Sequence, residues 1–446
     1  MSVQLLCERF GFAGPVREAA LRAEAIVSQI GYDAQARVKT NMLAAFLEEG
    51  IAESDFAGSF GYGYDDPARA KYEALLARVF GAQRVLARLS LVSGTHAIVT
   101  ALAACVPPGK TLLSATGRPY DTLRNAIADA PNSLVSQGMK YKELPSIASP
   151  SATALRLARS RALLRMTPHF TTTPHYTMTP HFTMTLEEEL DDPNVAAVFV
   201  QRSRGYAPRR ALSIAQCEPL FAAMKKKRPD VAIVVDNCYG ELVEDREPTH
   251  VGADLAIGSL IKNLGGSLAP GGAYVAGRSD LIERVADRLY APGLKDGVGP
   301  TLGYGRAFIQ GLFIAPLVVE QCLRGLDFAA ALFSELGYEV DPQAGETRTD
   351  IVQAIRLGSA ERLRTFAEGF QSAMPVNARF RPEPGRVPGY AEPVIMSSGS
   401  FISGATIELS CDAPMREPYE VYLQGGIVTE HAILGALFAA RALTSS

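Results

Sequence analysis

Between residues 80 and 320 the chain alternates short apolar runs with helical stretches, and this alternation limits the possible folds more than any other feature. The runs are RVLARLSLV, TLLSAT, NVAAVFVQ, VAIVVDN, DLAIGSL and GAYVAG. Runs that are apolar at nearly every position, rather than at every second one, fit strands buried on both faces, and helices between them supply the crossovers of a parallel sheet. The expected fold class is therefore α/β, a mostly parallel sheet flanked by helices. Residues 1 to about 55 are helical instead. REAALRAEAIVSQI and ARVKTNMLAAFLEEG carry apolar residues at helical spacing, and Gly50 closes the second. After a long helical segment near 305 to 337, the strand candidates DIVQAIRL and ATIELSCD indicate a smaller C-terminal α/β domain. The expected organisation is an N-terminal arm over 1–55, a large domain over 56–320 and a small domain over 321–446.

Charge and cysteine usage narrow the function. A net charge of −3 leaves no basic excess to release phosphate counterions, which argues against a nucleic-acid or anionic-membrane partner. The one basic run, KKKR at 225–228, lies between a helical stretch and a strand and reads as a solvated helix end. Six scattered cysteines without a CxxC pair fit a reducing cytosol better than a disulfide framework or a zinc site. The N-terminal MSVQLLCERFGFAG lacks a signal pattern, and no uncharged apolar run reaches the roughly 18 residues of a membrane span, so the expected address is the cytoplasm.

Residues 167–184 break the pattern with a sixfold-spaced repeat, TPHFTT, TPHYTM, TPHFTM, inside an insertion over about 146–190. His169, His175 and His181 suggest a metal site. Proline in every unit excludes a helix, and in an extended backbone successive histidines lie about 19 to 20 Å apart, too far to share an ion. The expectation is a duplicated surface loop without a metal.

Chemistry concentrates elsewhere. VAIVVDN ends in Asp236 and DLAIGSLIK in Lys262, both just past the C-terminal ends of expected parallel strands, where α/β sheets bind ligands. Lysine is among the residues least often fully buried unless paired. Two meanings fit: a salt bridge, or a pyridoxal-phosphate site whose lysine forms a Schiff base while the aspartate holds the pyridine nitrogen protonated. In the second, the apolar strand should lower the lysine pKa toward the neutral amine, and Gly265 and Gly266 should make room for a flat ring. Ser93-Gly94-Thr95 opens an apolar helix after a strand, and its amides and hydroxyls make an anion site suited to a phosphate, with Ser259 adding another hydroxyl. Nucleotide motifs fail: VPPGKT lacks the first P-loop glycine, which falls at Ala104, and GYGY is not GxGxxG.

SGTHAI, TGRPYDTL, QRSRGY, VDNCYGE, REPTHVGADL, GSLIKNLGG and DAPMREPYEVYLQGG, in this order, resemble the methionine γ-lyase-like or "aluminium resistance" family of pyridoxal-phosphate proteins. That family is similar to the wider cystathionine γ-synthase and β-lyase group of fold type I. The resemblance covers nearly the whole chain outside about 146–190. It implies a lyase that splits a carbon–sulfur bond of a sulfur-containing amino acid by β- or γ-elimination, giving thiol, ammonia and a keto acid. It implies Lys262 as the cofactor lysine, Asp236 as the pyridinium partner 26 residues upstream, and Ser259 as a phosphate contact, with Ile261 where the wider group has threonine. An early Tyr-x-Arg of a neighbouring subunit grips the phosphate in that group. Its counterpart here, Tyr62-Gly63-Tyr64, keeps only tyrosine hydroxyls for the contact and implies a homodimer or homotetramer with shared sites. Tyr120 is the candidate for stacking on the cofactor or protonating the leaving group, and His96 is a rival for stacking. Arg416 is the candidate for the substrate carboxylate, with Arg204 and Arg202 as rivals. Cys238 lacks a histidine partner and reads as packing. Other readings left open are a different pyridoxal-phosphate reaction (aminotransferase, aldolase or racemase) and a non-catalytic metal-binding relative.

Overall fold

A computed structural model describes residues 3–144, 180–207 and 209–445. Seven strands form the large sheet: β1 (Arg84–Arg88), β2 (Thr111–Ser114), β3 (Lys140–Glu143), β4 (Val195–Gln201), β5 (Ala232–Asp236), β6 (Leu255–Ser259) and β7 (Ala273–Gly277). Their order is β1-β7-β6-β5-β4-β2-β3. The pairings from β6 through β3 are parallel, and β7 alone runs antiparallel to both its neighbours. The six apolar runs are the five inner strands and β1 at one edge. The missed edge strand β3 reads KYKE, a charged edge that discourages pairing with another chain and carries no apolar signal.

Alternate residues of the central strands feed different cores. Ala197 and Phe199 pack with helices Gly94–Cys105 and Ser279–Leu289, while Val198 and Val200 pack with helix Ile214–Lys227. This is the period-two geometry of a strand with both faces covered. A five-stranded antiparallel sheet follows, ordered β10-β11-β12-β9-β8, from β8 (Glu339–Asp341), β9 (Val352–Arg356), β10 (Val394–Ser398), β11 (Ser410–Pro414) and β12 (Glu420–Gln424). Helices Ala360–Gln371 and Thr429–Ser445 pack beside it. β11 starts at Ser410, later than ATIELSCD suggests, because the preceding residues are spent in turns.

The N-terminal helices Gly14–Val27 and Asp33–Glu49 form where the apolar spacing places them, the second capped by Gly50 in the left-handed region at φ 62°. Ala19, Ala20, Ala23, Val38 and Met42 are buried in one core with helix Gly305–Glu335. That 31-residue helix is long and apolar enough to cross a bilayer, yet 61% of its apolar window is buried inside the fold.

Of the histidine repeat, His169 and His175 lie outside the described residues. The backbone of the third unit corrects the reading that proline excludes a helix: Pro180–Glu189 is helical with its proline first, a position where no amide hydrogen bond is lost.

Candidate active site

β5 and β6 end side by side, and their C-terminal ends deliver Asp236 and, three residues beyond Ser259, Lys262. Opposite them helix Gly94–Cys105 begins, with Ser93 as its N-cap accepting from the His96 N–H at 3.1 Å. These three chain segments surround a cavity of about 290 Å³ lined by Ser93, Gly94, Thr95, Asp236, Ser259 and Lys262. A Cβ on Gly94 would stand 3.3 Å from Cys238 Sγ and 3.6 Å from the Ser259 nitrogen, so the glycine keeps the helix N-terminus open toward the cavity.

Asp236 is buried, and its carboxylate accepts from the Cys238 N–H at 3.1 Å. Burial pushes its pKa above the ordinary value, with Lys262 and the Cys238 amide pulling it back. A buried carboxylate in this condition gains from a further cationic N–H donor, which a pyridinium supplies. Lys262 departs from the sequence expectation. Removal from water would depress its amine, but the Cys238, Tyr239 and Asp236 side chains outweigh that and hold it well above the ordinary lysine value. The site favours the ammonium, not the neutral amine.

Gly265 and Gly266 serve a purpose other than the one expected. A Cβ on Gly265 would lie 2.3 Å from the Leu260 carbonyl oxygen, and one on Gly266 2.4 Å from that of Gly311. They allow the turn after Lys262 to close on itself and to pack on helix Gly305–Glu335; neither opens space for a ring.

Tyr120 reaches the cavity, its hydroxyl 2.8 Å from Thr95 Oγ1 and its N–H donating to Gln201 Oε1 at 3.1 Å. Burial, then the Asp236 carboxylate, push its pKa well up, so the phenol is neutral and able to donate. His96 does not line the cavity. Its ring folds back so that Nδ1 accepts from the Val92 N–H at 3.3 Å. Tyr62 and Tyr64 also lie outside it, 76% and 60% exposed, with rings 5.8 Å apart. Among the described lining residues Lys262 is the only cation. Cys238 lines the cavity with its thiol pushed well up by burial, a poor nucleophile.

The three arginines separate. Arg202 is fully buried on Asn237, the Gly240 carbonyl and Glu244, away from the cavity. Arg204 is buried against Asp341 at 2.9 Å. Arg416 is more open, with Asp121 and Glu392 at 3.5 and 3.4 Å. Arg204 and Arg416 line a second cavity of about 290 Å³ that shares Tyr120, Gln201, Tyr206 and Tyr390 with the first. Both arginines therefore flank an antechamber next to Lys262. Tyr206, Tyr239, Tyr390 and Gln424 were missed as lining residues. Tyr239, three positions past Asp236, Tyr206 at the end of QRSRGY and Gln424 in DAPMREPYEVYLQGG lie within the quoted motifs and could have been found, but Tyr390 comes from a segment with no motif.

A lysine and an aspartate at adjoining parallel strand ends, facing a hydroxyl-rich helix N-terminus, suit a pyridoxal-phosphate enzyme of fold type I. The chain matches the family described as methionine gamma-lyase over residues 16–160 and 180–444. YnbB of Bacillus subtilis (strain 168) is 36% identical over 395 residues, 89% of this chain and 88% of that protein. A solved structure of a Clostridium acetobutylicum protein involved in aluminum resistance superposes with a TM-score of 0.87 and 35% identity, covering 99% of this chain and 98% of that one. A carbon-sulfur lyase involved in aluminum resistance from Clostridium novyi NT superposes with a TM-score of 0.84 and 36% identity, covering 98% of both chains. The protein belongs to the methionine gamma-lyase family, which places it among pyridoxal-phosphate-dependent carbon–sulfur lyases.

Proposed function

We propose that the protein eliminates a thiol from a sulfur-containing amino acid, leaving ammonia and a keto acid, at the cavity that Lys262 and Asp236 share. The observation that carries this reading is their convergence, from adjacent strand ends, on one cavity closed by the Gly94–Cys105 helix N-terminus. Pyridoxal phosphate, when bound, supplies the electron sink that makes the substrate α-proton removable. Lys262 would hold its aldehyde carbon and Asp236 its ring nitrogen. Ser93, Gly94, Thr95 and Ser259 would take the phosphate through hydroxyls and backbone amides.

The chain's own residues then divide the work. Lys262 Nζ, when free, would take the substrate α-proton. The neutral Tyr120 hydroxyl, held by Thr95, donates to the departing sulfur. Arg416 grips the α-carboxylate from the antechamber by exchanging its half-buried partners Asp121 and Glu392 for the substrate. In the domain division proposed from the sequence, Lys262 and Asp236 belong to 56–320 and Arg416 to 321–446, so the substrate bridges the two. Tyr62 and Tyr64 would complete the phosphate site of a second copy, a reading supported by their exposure and by the lack of a cation other than Lys262 in the described lining. Incubation with cystathionine, methionine, homocysteine and cysteine, with thiol, ammonia and keto acid measured together, tests the proposal. Keto acid and ammonia in equal amounts with thiol support it, whereas amino transfer to an acceptor without ammonia overturns it.

A further inference from the structure

Tyr239 is the strongest feature of the cavity left without a role. It has a φ of 73°, a left-handed conformation that is sterically costly for a bulky residue. Its carbonyl accepts from the Ile351 N–H at 3.0 Å and from Asn263 Nδ2 at 3.2 Å, and the same Asn263 amide donates to the Glu241 carbonyl at 2.8 Å. Asn263 directly follows Lys262 and is fully buried. One side-chain amide thus ties the lysine turn to the tyrosine turn, while Ile351 pins the far side. Strain of this kind persists where the surroundings over-determine it, and it clusters at functional sites. Its result here is a ring directly beneath the amine: Lys262 Nζ stands 3.8 Å from the Tyr239 ring centroid, well inside the range of cation–π attraction.

Resting on the lyase reading above, we infer that Tyr239 is the positioning residue of the lysine base: its ring face receives the Lys262 ammonium formed by α-proton removal and holds Nζ in place until that proton is passed on. The balance closes within the site. In a β-elimination the Cα–H bond breaks and an N–H bond forms at Nζ, the Cα–H electron pair becomes the Cα=Cβ bond as the carbon–sulfur pair leaves on sulfur, and the thiolate takes its proton from Tyr120, which recovers one from Nζ. The other ionisable groups facing Lys262 are Asp236, Cys238 and Glu241 around the end of β5, Tyr120 across the cavity, and Tyr390 and Asp412 from the C-terminal segments. Asp236 favours the ammonium electrostatically and the Tyr239 hydroxyl also bonds to it, but the ring beneath it fixes its position.

Hydrogen–deuterium exchange at Cα of L-alanine, followed by NMR with the holoenzyme in D2O, isolates this step because alanine has no leaving group. Tyr239→Phe keeps the ring face and should exchange within about threefold of the parent with the same pH dependence. Tyr239→Leu should be slower by about tenfold or more on its plateau. Its rising limb should also move to lower pH, since the ammonium loses a stabilising partner, while cofactor absorbance is unchanged. If the leucine variant does not fold, Tyr239→Met is judged by the same criteria. Exchange in Tyr239→Leu equal to the parent, or a Tyr239→Phe loss as large as that of leucine, overturns the inference while leaving the lyase reading intact. No exchange by the parent enzyme overturns the lyase reading itself.

Discussion

Glu241→Gln should flatten the dependence of stability on pH. Glu241 has no exposure, its Oε1 accepts from the Tyr274 hydroxyl at 3.0 Å, and its Oε2 has no partner. Burial, reinforced by the nearby Glu247 carboxylate, pushes its pKa up to about 8. A carboxyl whose folded pKa lies above its unfolded value stabilises the fold fully below the unfolded value, and that contribution is lost as pH rises through the folded one. The window therefore runs from about pH 4.5 to about pH 8. At about 1.36 kcal/mol per pH unit the ceiling is about 5 kcal/mol, and relaxation around the charged form reduces it to about 2–4 kcal/mol. Glutamine keeps the acceptor for Tyr274 but places an N–H donor at the unpartnered Oε2 position, a pH-independent cost of about 1–3 kcal/mol. The variant should be less stable near pH 5 and should draw level with the parent, or pass it, near pH 9. Glu247, pushed up to about 7, leaves the variant a residual slope. Thermal unfolding of both holoenzymes across this range measures the gap. A gap constant with pH refutes the claim that Glu241 is held protonated.

Asp236→Asn keeps the size of the side chain and removes the charge meant for the pyridinium; it should retain cofactor but lose about 100-fold or more in kcat, and a loss under threefold contradicts the assignment. Arg416→Ala should raise KM for every amino-acid substrate about tenfold or more with a smaller change in kcat, as loss of a carboxylate grip requires; steady-state kinetics on two substrates check it.

Much of this site was legible in the sequence because its parts sit at positions that period and punctuation mark. Asp236 and Lys262 end apolar runs, and Ser93-Gly94-Thr95 stands where a strand gives way to a helix. The electrostatics were not legible. The apolar strand before Lys262 suggested a depressed amine, but Cys238 and Tyr239 belong to a different strand's turn, and only the fold sets them beside it. Gly265 and Gly266 misled for a related reason: the contacts that demand glycine are carbonyl oxygens of Leu260 and of the distant Gly311. His96 has helix-terminal spacing like its neighbours, but the Val92 amide captures its ring. Strands β3, β8, β10 and β12 escaped because they are short, charged or mixed in pattern, and their pairing is set by the sheets they join.

The central claim is that Lys262 carries the cofactor. Borohydride reduction of the purified protein followed by peptide mass mapping tests it most directly. The account predicts a yellow protein absorbing near about 420 nm, bleached on reduction, with the phosphopyridoxyl mass on the peptide containing Lys262 and no such adduct in Lys262→Ala. A protein that takes up no pyridoxal phosphate, or an adduct that persists on another lysine when Lys262 is replaced, would contradict it.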